Sequence, residues 1–181
     1  MLAFRNVLGS MKRFHIAVVL LLVGVHFAKA AEPSAPKTVA HVDLTRYLGK
    51  WYEIARLPNR FEKKCDRDVM AEYAKDGDVI RVVNTCTEAD GQITQSKGKA
   101  KVVDTATNAK LKVTFFWPFY GDYWVIGLDP EYKWAVVGGP NRKYLWVLSR
   151  EKKLSEEQAQ KVQQAVRDAG YSWYAVQMTK Q

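Results

Sequence analysis

Eight short antiparallel strands followed by a single helix, an all-β fold, is the architecture this sequence predicts, on three observations. Apolar and β-branched runs recur over residues 50–58, 69–74, 78–86, 92–104, 109–117, 122–128, 134–138 and 144–150. Such regular strands joined by tight turns argue an antiparallel barrel or a sandwich, and a strand count alone does not choose between them. One stretch of helical periodicity, near residues 155–170, follows the last strand. Residues 49–58 open on a glycine, stop at a proline and hold aromatic and β-branched residues between, the composition of a strand.

Ahead of that segment lies a leader. Met11-Lys12-Arg13 precedes an apolar run over residues 14–27, and Ala28-Lys29-Ala30 offers small residues for cleavage before Ala31. This is the layout of a secretory signal peptide over residues 1–30, with Met1 or Met11 as initiator. The uncharged run is shorter than the ~20 residues that a membrane span needs. Residues 31–40 form a short Pro-containing spacer, and the remainder, 41–181, has the length of one domain with one core. Of the net charge of +9, four cations (Arg5, Lys12, Arg13, Lys29) fall in residues 1–30 with no acid, which leaves +5. That excess is spread over many positions with no clustered stripe, which argues against a nucleic-acid partner.

Within the first strand, alternation puts Trp51, Glu53, Ala55 and Leu57 on one face and Tyr52, Ile54 and Arg56 on the other. A polar loop over residues 59–68 follows. Turns then fall at Asp76-Gly77, Asp90-Gly91, Thr107-Asn108, Gly121, Asp129-Pro130 and Gly139-Pro140-Asn141. Ser155 is a good N-cap and Gln158 completes a capping box, with Leu154 stapled onto Ala159. Ala159, Val162, Val166 and Ala169 make one narrow apolar stripe and Gly170 ends the helix. A helix with one face to bury lies against the outside of the sheet. Residues 172–178 read as a last strand added at its edge.

The cysteines are a pair. A four-residue turn over residues 74–77 would pair Tyr73 with Asp78 and set Cys65 directly opposite Cys86. Facing Cα atoms on antiparallel strands lie ~4.5–5.5 Å apart, inside the disulfide range. An exported protein with two cysteines makes that bridge the expectation over free thiols. Only His41 survives leader removal, so no metal site built from several imidazoles and no cofactor is expected. The sequence holds no Gly-rich phosphate loop and no Gly-x-Ser-x-Gly elbow, and no enzyme is expected.

The motif Gly49-Lys50-Trp51-Tyr52-Glu53-Ile54-Ala55-Arg56 resembles the lipocalins, most closely their bacterial branch. Arg60-Phe61-Glu62, Phe116-Trp117-Pro118-Phe119-Tyr120-Gly121, Leu128-Asp129 and Leu145-Trp146-Val147-Leu148-Ser149-Arg150 complete the likeness over residues 43–178. One departure is Leu128-Asp129-Pro130, of which only Asp129 carries over. The resemblance implies an eight-stranded up-and-down barrel with the helix packed outside. Trp51 would close its floor, with Arg150 across the indole face. It implies a cavity lined by Tyr73, Leu111, Val113, Phe115, Tyr144 and Trp146, which suits an acyl chain. It also makes residues 59–68 a lid, whose cations Arg60, Lys63, Lys64 and Arg67 would meet an acidic head group.

The implied function is binding, storing or transporting a fatty acid or lysophospholipid in membrane lipid maintenance. The alternative is a lipocalin-type enzyme acting on a bound lipid or isoprenoid, for which Glu53 is the one inward ionisable group on the first strand. Some lipocalin-like isomerases use a cysteine there, and residues 50–58 have none. Bacterial relatives are often outer-membrane lipoproteins, which need a cysteine just after the apolar run. Here Ala30-Ala31-Glu32 stand in that place, so a periplasmic or secreted protein is expected. The turn at residues 116–120 leaves three roles open: shaping the mouth, contacting a membrane surface, or pairing two copies. Monomer and homodimer both remain open.

Overall fold

Twelve segments of regular backbone follow the sequence order closely. The computed structural model describes residues 34–181, and the leader predicted over residues 1–30 lies outside them. A one-turn helix, α1 (Leu44–Tyr47), precedes β1 (Gly49–Arg56), β2 (Cys65–Asp76), β3 (Val79–Glu88) and β4 (Ile93–Val102). Then come β5 (Lys110–Phe116), β6 (Phe119–Leu128), β7 (Trp134–Gly138) and β8 (Leu145–Ser149). A longer helix, α2 (Glu156–Asp168), a 3-10 turn (Trp173–Ala175) and a short β9 (Gln177–Met178) end the chain.

From β1 to β8 each strand pairs antiparallel with the next, and β1 pairs with both β8 and β2. That double pairing closes the sheet into an eight-stranded up-and-down barrel, which leaves no sheet edge between its first and last strands. The closure is partial on one side. β2 holds β1 only from Gly49 to Tyr52, and further along β9 takes over, pairing Ala55 with Met178 and Arg56 with Gln177. The last residues fill the seam: Asp68 N–H donates to the Lys180 carbonyl, and the Gln181 amide bridges the Glu53 and Val69 carbonyls.

Two apolar clusters follow from the pleat. Inward residues such as Trp51, Tyr73, Val82, Leu111, Val125 and Leu148 form the barrel core. Outward residues of β1, β6, β7 and β8, among them Ile54, Ile126, Val136 and Val147, pack under Val162 and Val166 of α2. The helix begins with a complete capping box, Ser155 Oγ accepting from Gln158 N–H while the Gln158 side chain accepts from Ser155 N–H. Gly170 follows it in the left-handed region (φ +78°), where a side chain would be strained. The spacer is drawn onto the barrel: Pro36 is buried, Val39 N–H donates to the Val125 carbonyl, and the Ser34 carbonyl accepts from Arg142.

Two local expectations need correction. The β2–β3 turn is two residues, Gly77 and Asp78, with Gly77 at φ +60°, so Tyr73 faces Val82 instead of Asp78. The ladder stays paired to Asp76 because nothing interrupts its hydrogen bonds before the glycine. Two irregularities further along shift the register, so that Cys65 pairs with Glu88. Cys86 still comes within 5.5 Å of Cys65, Cα to Cα, and the two form a disulfide. In β1, a bulge between Glu53 and Ala55 breaks simple alternation. Ile54 and Ala55 both join the outer cluster, and Arg56 turns to the Glu53 side of the strand.

Candidate functional site: the floor, the interior and the mouth

At the floor, Trp51 is completely buried and its indole N–H donates to the Tyr47 carbonyl at 2.8 Å. The Arg150 guanidinium lies 3.8 Å from the centre of that ring. It also donates to three backbone carbonyls, Lys50 (2.8 Å), Arg46 (2.6 Å) and Tyr132 (3.3 Å). One side chain thus ties β8 to α1, β1 and the β6–β7 turn. Asp129 shapes that turn, its carboxylate accepting from the N–H groups of Glu131 and Lys133. The neighbouring Gly49 needs φ +90°, which suits glycine.

Above the floor sit three tyrosines. Tyr123 hydroxyl is hydrogen-bonded to Tyr47 (2.8 Å) and to Tyr73 (2.9 Å). Burial pushes the Tyr73 hydroxyl up to about 12 and raises Tyr47 and Tyr123 as well, so all three remain neutral donors and acceptors near neutral pH. The family resemblance points to Tyr73, and the structure adds Tyr47 and Tyr123 to it. Tyr123 pairs with Leu111, so carrying the inward face across the β5–β6 hairpin would have found it.

Of the sequence-derived lining, Tyr73 and Leu111 are buried near the floor. Val113, Phe115, Tyr144 and Trp146, nearer the other end, are only half-buried. Phe115 lies against Gly98, where an added Cβ would meet the Phe115 ring and the Thr114 carbonyl. Tyr144 stacks on Trp146 (5.8 Å between centroids), and Phe61 packs on Tyr144 (5.4 Å). These rings form a staircase from the rim inward.

Near the mouth, the β1 bulge creates a charged cluster that simple alternation concealed. Arg56 Nη1 lies 2.6 Å from Glu53 Oε1, and its Nε lies 3.0 Å from Glu62 Oε2. Glu62 Oε1 accepts from the Trp146 indole at 2.9 Å, and Thr179 hydroxyl donates to Glu53 while accepting from Arg56. No residue type marks the bulge, because β1 carries no glycine at that point. Burial, then the charge of Glu62, outweigh Arg56 and Thr179 and push the Glu53 carboxyl up to about 8.

That shift has a sign. An ordinary glutamate loses its proton near 4.5, so from there to about pH 8 the folded protein keeps a proton that the unfolded chain has released. Stability therefore falls as pH rises through that window. Glu53→Gln should flatten the slope in denaturant titrations at about pH 5 and pH 8. An unchanged slope would remove Glu53 as its source.

The predicted mouth cations separate. Arg60 and Lys63, with Arg56, Asn59, Glu62 and Gln177, line a cleft of about 440 Å³. Lys64 is exposed and lies outside that lining. Arg67 lies on β2 instead of the loop, 3.1 Å from Asp66 and 3.7 Å from Asp68, because β2 begins at Cys65. Among the described residues no cluster of three or more His, Cys, Asp or Glu is placed to hold a metal ion, and no helix is long and apolar enough to cross a membrane.

The profile of the lipocalin-like domain matches residues 42–181. The chain belongs to the lipocalins. This lipocalin is 44% identical over 136 residues to the outer membrane lipoprotein Blc of Escherichia coli (strain K12), which covers 73% of this chain and 77% of that one. It is 36% identical over 159 residues to temperature-induced lipocalin-1 of Arabidopsis thaliana (83% and 85%). Apolipoprotein D of Macaca fascicularis is 35% identical over 132 residues (68% and 69%). Among solved structures, insecticyanin from the tobacco hornworm Manduca sexta superposes with a TM-score of 0.67 at 24% identity, covering 81% of this lipocalin and 84% of that chain. Lobster apocrustacyanin A1 gives 0.64 at 19% identity (84% and 93%). Both speak for the barrel alone.

Proposed function

We propose that this lipocalin binds and carries one single-chain lipid, a fatty acid or lysophospholipid, in storage or transport for membrane lipid maintenance in the cell envelope. Lipocalins generally bind small hydrophobic ligands, which supports the class. The observation that carries the finer reading is the gradient along the inward face. Tyr73 and Leu111 are buried above the sealed floor, whereas Val113, Phe115, Tyr144 and Trp146 keep exposed surface toward the mouth. An acyl chain laid against them leaves water, and each CH₂ contributes ~0.8 kcal/mol before the cost of association. The acidic head would stay near Arg60 and Lys63, with Lys64 further out. The disulfide and the relatives named as outer membrane lipoproteins support an extracytoplasmic place, periplasmic or secreted.

A buried carboxyl that holds its proton is the one feature favouring the alternative, an enzyme acting on a bound lipid or isoprenoid. Arg56 and Thr179 already occupy Glu53 Oε1, which favours a structural role. Displacement of a fluorescent fatty acid tests the carrier. The expected result is saturable binding at one site, about tenfold weaker in Trp146→Ala. No saturable binding, or turnover of a lipid that Glu53→Gln abolishes with the fold intact, would overturn it.

A further inference from the structure

In an up-and-down barrel whose β1 starts at the floor, the loops after β1, β3, β5 and β7 all lie at the mouth. The turn after β5 is the most apolar of them. Phe116 and Phe119 pair across it, and Trp117 and Pro118 form its tip. Phe116, Trp117 and Phe119 are 80%, 81% and 77% exposed, and Tyr120 beside them is exposed too. Phe61 on the loop after β1 and Ile93 at the start of β4 add exposed apolar surface at the same end. Phe116, Trp117, Phe119 and Tyr120 crowd a single hairpin turn, so these exposed rings form a patch rather than scattered single residues.

The charges at this end have one predominant sign. Arg60, Lys63, Lys64 and Lys143 are exposed on the mouth loops, against one exposed acid there, Asp90. Glu62, the acid of the loop after β1, is turned inward onto Arg56 and Trp146. Glu88 accepts from Thr94. Aromatic side chains ringed by cations match a bilayer interface, where Trp and Tyr settle at head-group depth and Lys and Arg meet anionic lipid.

We propose that the mouth of the barrel docks on an anionic bilayer surface, with the Phe116-Trp117-Pro118-Phe119 tip entering the interface and Arg60, Lys63, Lys64 and Lys143 contacting head groups. The aromatic staircase of Phe61, Tyr144 and Trp146 then runs from the membrane contact toward the interior. Docking of this kind requires no covalent lipid and does not depend on the identity of the cargo. It goes beyond the carrier reading, since a barrel holding no ligand would dock equally.

The test is co-sedimentation of the full chain with vesicles of equal parts phosphatidylcholine and phosphatidylglycerol, beside vesicles of phosphatidylcholine alone. The expected result is binding to the mixed vesicles that weakens about tenfold or more in a triple variant, Phe116→Ser, Trp117→Ser, Phe119→Ser. Salt should weaken it too, by screening the head-group contacts. Brominated acyl chains should quench wild-type emission more than that of Trp117→Phe, which reports insertion independently of affinity. Equal sedimentation of wild type and triple variant would overturn the proposal. So would a concentration-dependent dimer that the triple variant abolishes while neither protein sediments, since the patch would then pair two copies. Binding of monomeric lysophospholipid, read in the triple variant, stays at the wild-type level, so failure of docking and failure of the carrier reading are told apart.

Discussion

Trp51→Ala should lower the free energy of unfolding by about 3–5 kcal/mol, the range for removing a fully buried aromatic. The cost has several parts. The indole's buried surface is lost, and the Tyr47 carbonyl loses its donor. Arg150 loses the ring beneath its guanidinium but keeps the three carbonyls it spans. A second variant apportions these. Trp51→Phe keeps much of the ring and gives up the N–H, so it should cost roughly 1–2 kcal/mol. Urea titrations of the three proteins measure both differences. A Trp51→Ala protein within about 1 kcal/mol of wild type would mean that the floor does not hold the barrel together.

Replacing both cysteines, Cys65→Ser with Cys86→Ser, should cost about 3 kcal/mol, as expected for a bridge closing a loop of this length. The loss should concentrate at the mouth. Cys65 is the first residue of β2, directly after the loop that carries Arg60, Lys63 and Lys64, and the ladder beside it is already irregular between Cys65 and Met70. Amide hydrogen exchange should therefore accelerate in residues 65–70 before it does at the floor. The oxidised wild type should weigh two hydrogens less than the dithiol. Two thiols open to alkylation in unreduced, folded protein would contradict the bridge.

The sequence made the elements legible where a residue type carries its own geometric instruction. Ser155, Gln158 and Gly170 bracket α2 because capping groups act locally, and the barrel core follows the pleat wherever alternation is unbroken. The cysteine pair was found through a register that the chain does not adopt. The actual turn holds only Gly77 and Asp78, and two ladder irregularities bring the sulfurs together. The charged cluster was hidden for a related reason. A bulge of one residue reverses the phase of everything after it, so Arg56 moves to the side of Glu53 with no proline or glycine to announce it. Glu62 and Thr179 reach that cluster from a loop and from the C-terminal segment, distances that no strand pattern encodes. Tyr123 required only that an inward face be carried across one more hairpin.

A carrier of this kind requires an interior that accepts an acyl chain. Native mass spectrometry of the protein mixed with lysophosphatidylcholine or oleate, below their micelle concentrations, reads this most directly. The prediction is one lipid per chain, saturating, and displaced when the second lipid is added. A protein that remains at its bare mass throughout the titration, while folded and oxidised, would contradict the account.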